Sequence, residues 1–169
     1  METPVNQSRR SFIERAAAGA GAFTIVKPEL VRGAGRERLK AGLVGCGGRG
    51  TQAIIDLLTG DDRVEITALA DIFEDKLENS MKRLKEKLPP EAAARVKVAP
   101  EQRFMGFDAF KKLAASDVDI VMLCTPPGYR PEHFEAAVNA RKHVFCEKPF
   151  GTDPVGVRRF MDAARKSEQ

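Results

Sequence analysis

Leu39-Lys40-Ala41-Gly42-Leu43-Val44-Gly45-Cys46-Gly47-Gly48-Arg49-Gly50 is the stretch that decides the fold. Leu39–Val44 is a short apolar run of strand length with one lysine near its start. The glycine cluster ends it. A helix is expected next, with Ala53, Ile54, Leu57 and Leu58 on one face and a stop at Gly60. Strand, tight turn and helix together open a unit in which parallel strands are covered by their own crossovers.

Outward from that stretch the alternation continues. Val64–Ala70 reads as a second strand ending at Asp71. Leu77, Met81, Leu84 and Leu88 form one helical stripe, broken by Pro89-Pro90. Glu91–Gly106 carries a weaker signal, with a short helix and a weak strand near Val96–Val98. Phe110 and Leu113 suggest a short helix, and Asp119–Cys124 reads as a buried strand. Pro131–Ala140 follows as a helix with Phe134, Ala137 and Val138 inward, and His143–Cys146 as a fifth strand. Asp153-Pro154 opens a last helix with Val157, Phe160, Met161 and Ala164 at helical spacing. The expected fold is α/β, a doubly wound parallel sheet in the order 3-2-1-4-5 with right-handed crossovers.

Gly45-x-Gly47-x-x-Gly50 lies between the first strand and its helix. Gly45 suits the tight turn, Gly47 lets backbone approach a pyrophosphate, and Gly50 lets helix and strand pack closely. The N–H groups and positive dipole end of the helix favour an anion there. Asp71 ends the next strand, 21 residues after Gly50, where a carboxylate can accept ribose hydroxyls. It would repel a 2′-phosphate, and Ile72, Phe73, Glu74 and Asp75 supply no cation after it. NAD is therefore expected rather than NADP, with Arg49 as the one basic residue in the loop that could blur the preference. A turn between packed elements, or the glycine loop of a methyltransferase, are the competing readings.

A second signal is Glu147-Lys148-Pro149, just past the fifth strand, at the end of the sheet where such folds bind ligands. An ammonium at Lys148 can stabilise negative charge developing on an oxygen during hydride transfer, with Glu147 orienting it. A surface ion pair before a proline turn is the plainer alternative.

Val44–Gly50, Ala70-Asp71, Cys124-Thr125-Pro126-Pro127, Lys142-His143-Val144 and Glu147-Lys148-Pro149 follow one another in an order and spacing that resembles the nucleotide-binding half of the Gfo/Idh/MocA oxidoreductases. These include glucose–fructose oxidoreductase and inositol dehydrogenases. The resemblance covers residues 38–169 and implies a Rossmann-type domain. It implies that Gly45, Cys46, Gly47, Gly48, Arg49, Gly50, Asp71 and Ile72 hold the dinucleotide. Thr125 and Pro126 then lie on its nicotinamide side, Glu147 and Lys148 reach it, and Lys148 is the catalytic-site lysine. It also implies a hydride transfer to or from a sugar, polyol or inositol-like substrate, and a homo-oligomer in the full-length form. A non-catalytic dinucleotide-binding module or inactive fragment is the alternative. The methyltransferase reading gives no reason for Glu147-Lys148-Pro149.

Three departures from the family pattern stand out. Pro127 replaces a common asparagine. Arg130 occupies a position where a histidine is frequent, and His133 one turn later reads as a surface histidine. The family's second, substrate-binding domain has no counterpart in 169 residues, so the chain reads as truncated. His143, within a strand, reads as structural.

The remaining features bound the rest. Residues 1–35 read as a twin-arginine-like signal and linker. Arg9-Arg10 precedes Phe12-Ile13, and Ala16–Val26 is an uncharged core too short to span a bilayer. A periplasmic location is expected, cytoplasmic if the leader is silent. Residues 36–169 are the nucleotide-binding domain. The net charge of +4 resides in residues 1–40, which hold 8 basic and 4 acidic side chains; the rest balances at 20 of each. No nucleic-acid partner is therefore expected. No apolar run reaches ~18 residues, so no stable membrane anchor is expected. Cys46, Cys124 and Cys146 show neither disulfide nor zinc spacing and read as small hydrophobes near one another, with no metal.

Overall fold

A computed structural model describes residues 38–167. The twin-arginine-like leader lies outside them.

Five parallel strands form the sheet: β1 (Leu39–Val44), β2 (Val64–Asp71), β3 (Arg103–Met105), β4 (Ile120–Leu123) and β5 (His143–Cys146). Their order is β3-β2-β1-β4-β5. Helices α1 (Gly48–Gly60), α2 (Glu74–Lys87), α3 (Pro90–Ala93), α4 (Ala109–Ala115), α5 (Arg130–Asn139) and α6 (Pro154–Ser167) supply the crossovers and covers. This is the doubly wound Rossmann-type architecture expected from the alternation.

Successive residues of β1 point to opposite faces. Leu43 joins Ile54 and Leu58 of α1 and Leu77 and Leu84 of α2 in one core, and Val44 joins Phe110, Leu113 and Ala137 of α4 and α5 in the other. A sheet buried on both faces needs apolar residues at consecutive positions, which is why Val121-Met122-Leu123 is continuous. A bulge interrupts β2: Ala41 pairs with Ile66 and Gly42 with Ala68, leaving Thr67 without a counterpart. The extra residue puts Ile66 and Leu69 on the same face and leaves the buried Thr67 hydroxyl without a hydrogen-bond partner.

Two expectations need correction. The third strand is Arg103–Met105, not Val96–Val98. Val96 makes a single bridge to Ile66, and the chain then leaves the sheet through a 3-10 turn at Pro100–Gln102. In α6, Val157 and Met161 face solvent, and the packed stripe is Phe160, Ala163 and Ala164. Phe160 stacks on Phe134 of α5 at 3.9 Å and on Phe150 at 4.8 Å. Asp153 caps α6 as expected, its Oδ1 accepting the Val155 and Gly156 N–H groups at 2.9 Å.

Candidate functional site

The strand order reverses between β1 and β4. Ligands of such sheets bind outside the carboxyl ends of the strands at that point. A crevice of about 1050 Å³ opens there, at the upper end of the range for small-molecule sites.

Its floor is the glycine loop. Gly45 has φ of +93°, and a Cβ there would lie 2.8 Å from the backbone of Cys124 and Thr125. At Gly50 a Cβ would lie 2.0 Å from the Gly45 carbonyl oxygen. Both glycines are demanded by the chain's own packing. Gly47 differs: its φ of −70° suits any residue, and a Cβ would meet nothing within 4 Å. The protein itself gives no reason for glycine here, but a ligand pressed against the backbone does. Gly47 is also the N-cap of α1, with no side-chain cap and no acidic residue in the first turn. The unbonded N–H groups and dipole of that end therefore meet whatever fills the crevice.

Asp71 is bound into the loop. Its Oδ2 accepts the Cys46 N–H at 2.7 Å and its Oδ1 accepts the Phe73 N–H at 3.1 Å. The carboxylate is thereby held at the crevice rim with lone pairs left for hydroxyl donors. Ile72 lines the same end with the exposed rings of Phe73 and Phe107. Cys46 contributes only backbone. Its side chain is buried, and burial, reinforced by Asp71, pushes its thiol pKa up. Cys124 is raised to about 11 by burial. Cys46 and Cys124 pack into one core and Cys146 into the other.

Arg49 turns away from Asp71. Its Nε donates to Glu147 Oε1 at 2.7 Å, Nη2 donates to the same oxygen, and Nη1 lies 3.7 Å from Asp56. The bonds from Arg49 hold the Glu147 carboxyl below its ordinary range. Among the described ion pairs Glu147 holds Arg49 of the glycine loop and not the Lys148 ammonium, although it also accepts the Lys148 backbone N–H. Lys148 is exposed and outside the crevice lining, followed by a cis peptide to Pro149.

Thr125 and Pro126 line the far end of the crevice. Here the surface reading of His133 fails. The ring is half-buried, stacks on Phe110 at 4.0 Å, and sets Nδ1 3.2 Å from the Thr125 hydroxyl. Burial lowers its pKa to about 4, so it is neutral at pH 7. Arg130, Tyr129 and His133 all line this end and were not among the expected site residues. Arg130 and His133 are three apart on one helix, a spacing that places both on one face. His143 opens β5, inside the strand as expected, with its side chain exposed.

Residues 39–169 match the oxidoreductase family described as having an NAD-binding Rossmann fold, Gfo/Idh/MocA. The chain is 29% identical over 130 residues to a myo-inositol 2-dehydrogenase of Thermotoga maritima, covering 77% of this chain and 34% of that one. It is 32% identical over 128 residues to an inositol 2-dehydrogenase of Cereibacter sphaeroides, covering 74% of this chain and 32% of the relative. The fold superposes with a TM-score of 0.61 on a scyllo-inositol dehydrogenase from Lactobacillus casei, solved with bound NAD(H) and scyllo-inositol, at 23% identity over 78% of this chain and 34% of that one. The chain thus spans about a third of the length of these relatives.

Proposed function

This chain belongs to the Gfo/Idh/MocA oxidoreductase family, and from that membership we propose that its crevice takes NAD in preference to NADP. It does so as the nucleotide-binding part of an enzyme moving a hydride to or from an inositol-like, polyol or sugar hydroxyl. The observation that carries the cofactor reading is the open space over Gly47 beside a carboxylate fixed at the rim. When bound, NAD supplies the hydride acceptor at its nicotinamide ring. The α1 N-terminus and Gly47 hold the pyrophosphate through N–H groups, and Asp71 accepts ribose hydroxyls. Ile72 and Phe73 flank the adenosine end. Thr125 and Pro126 bound the nicotinamide end. Lys148, on the loop after β5, donates to the substrate oxygen and steadies its charge as the hydroxyl is oxidised. Glu147 fixes the loop that carries Lys148 through Arg49. The names of the relatives support an inositol-type substrate class.

The preference for NAD has a local cause. Arg49, the basic residue of the glycine loop, is occupied by Glu147 on the β5 side, so it does not offset the repulsion of a 2′-phosphate by Asp71. Calorimetric titration with both cofactors tests this. NAD is expected to bind at least about tenfold tighter, and Asp71→Ala to shrink the gap by removing both the hydroxyl bonds and the repulsion. Equal affinities in the unaltered chain would defeat it. Turnover of an inositol and polyol panel, followed at the NADH absorbance, tests the reaction.

The leader is read from sequence alone, as a twin-arginine export signal delivering the protein to the periplasm. A reporter fused after Leu39 should be exported, and changing Arg9 and Arg10 together to Lys should retain it in the cytoplasm. Export that survives the double change would refute the signal.

A further inference from the structure

Arg130 is 6% exposed, yet no carboxylate pairs with it among the described ion pairs. Its Nε donates to the Thr125 carbonyl at 2.8 Å and its Nη1 to the Pro149 carbonyl at 2.6 Å. Those two carbonyls belong to different loops, one after β4 and one after β5. Burying a guanidinium is costly unless it is hydrogen-bonded. The first turn of a helix is also the wrong end for a cation, since the dipole there is positive. Neither the helix nor the core therefore accounts for an arginine at this position. The pair of loops does: a planar fork can hold two acceptors in fixed relative positions, which a single ammonium cannot. His133, one turn further along α5, meets Thr125 from the other side, at its hydroxyl, while its ring is held against Phe110. Thr125 is gripped at both its carbonyl and its side chain by one helix face.

We propose that Arg130 is a positioning residue that locks the Thr125-Pro126 loop and the Lys148-Pro149 turn into one unit, setting the nicotinamide half of the crevice independently of the adenosine half. This rests on the dinucleotide reading above. The adenosine half is built by Asp71 and the glycine loop, which share no hydrogen bond with Arg130. Loss of the fork should loosen one half and leave the other.

The test compares NAD with ADP, which carries adenosine and pyrophosphate but no nicotinamide ribose or ring. In Arg130→Met, NAD affinity is expected to fall roughly tenfold, as for loss of a charge-assisted bond, with ADP affinity within about twofold. Arg130→Lys, able to reach one carbonyl, should lie between the two, and its unchanged ADP binding would confirm that the domain is folded. Hydrogen exchange should quicken in both variants at residues 125–129 and 147–150 together. Equal losses for NAD and ADP would mean a general structural role and overturn the proposal. So would unchanged NAD binding, or faster exchange in one loop only. An unaltered protein that binds neither ligand would sink the dinucleotide reading and this inference with it.

Discussion

At the scale of single residues, the site depends on which groups are already engaged. Asp71, Arg49, Glu147 and Arg130 each hold a fixed partner before any ligand arrives, and preorganised groups cost little to align when it does. His133 gives this a pH signature. Its folded pKa of about 4 lies below the ordinary 6.5, because burial against Phe110 disfavours the imidazolium. The unfolded chain therefore takes up the proton first as pH falls. Stability from this group is complete above pH 6.5 and is lost progressively toward pH 4, by on the order of 1–2 kcal/mol for a half-buried ring. Asp61, held down to about 2 by bonds from Arg63, loses its contribution only below about pH 4, so the two windows separate. Denaturant melts of the protein and of His133→Gln between pH 7 and pH 2 check this: the variant should lose the slope above pH 4 and keep the one below it. A parallel decline in both would place the slope elsewhere. Sequence spacing brought out Asp71 and the glycines because a strand end and a turn constrain residues locally. It missed His133 because what buries that ring is Phe110, brought against it by α4 from 23 positions away.

At the scale of elements, the turn from β1 into α1 separates glycines that serve the fold from one that serves a ligand. Gly50→Ala would drive a methyl group into the Gly45 carbonyl, backbone against backbone with no side chain to yield. A loss of at least about 3 kcal/mol is expected, or failure to fold. Gly47→Ala meets open space and should cost no more than about 1 kcal/mol as a changed N-cap, while lowering NAD affinity at least tenfold. Thermal melts paired with NAD titration distinguish the two, and a stable Gly47→Ala protein with undiminished affinity would contradict the phosphate role. The same contrast explains what was readable. β1, β2 and β4 are central, buried on both faces, and announce themselves as apolar runs. β3 is a three-residue edge strand, Arg103-Phe104-Met105, with two of its residues exposed, so no apolar run marks it. Val96–Val98 is the more strand-like sequence, but Pro100 carries the chain away after one bridge. In α6, Phe160 and Ala164 of the expected stripe pack while Val157 and Met161 face solvent, because Phe160 is fixed by rings from α5 and the preceding loop, not by helical period alone.

At the scale of the whole molecule, β5 is the outermost strand on its side of the sheet. Phe145 on it, Phe150 in the following loop, and Val155, Val157 and Met161 on α6 are all exposed. Unpaired backbone beside exposed apolar side chains invites pairing with a second copy. The 169-residue chain is expected to self-associate in a concentration-dependent way on size exclusion, and Phe145→Lys with Met161→Glu to shift it toward monomer. A monomer at all concentrations would show that this face is inert. The sheet order also bears on how the protein comes to be made. β1 emerges first from the ribosome and finds β2 within about 20 residues, but its other neighbour, β4, follows about 50 residues after β2. At roughly 5–20 residues per second, the central strand waits several seconds with one edge open. Asp119 ends the wait: its Oδ2 accepts the Lys40 N–H at 2.9 Å and its own N–H bonds the Lys40 carbonyl at 2.7 Å, joining the two strands at their starts. Nascent chains halted before Asp119 should be cut readily by protease and those halted well past Cys146 should resist. The strand that fixes the ligand-binding end of the finished sheet is thus the one that spends longest unprotected during synthesis.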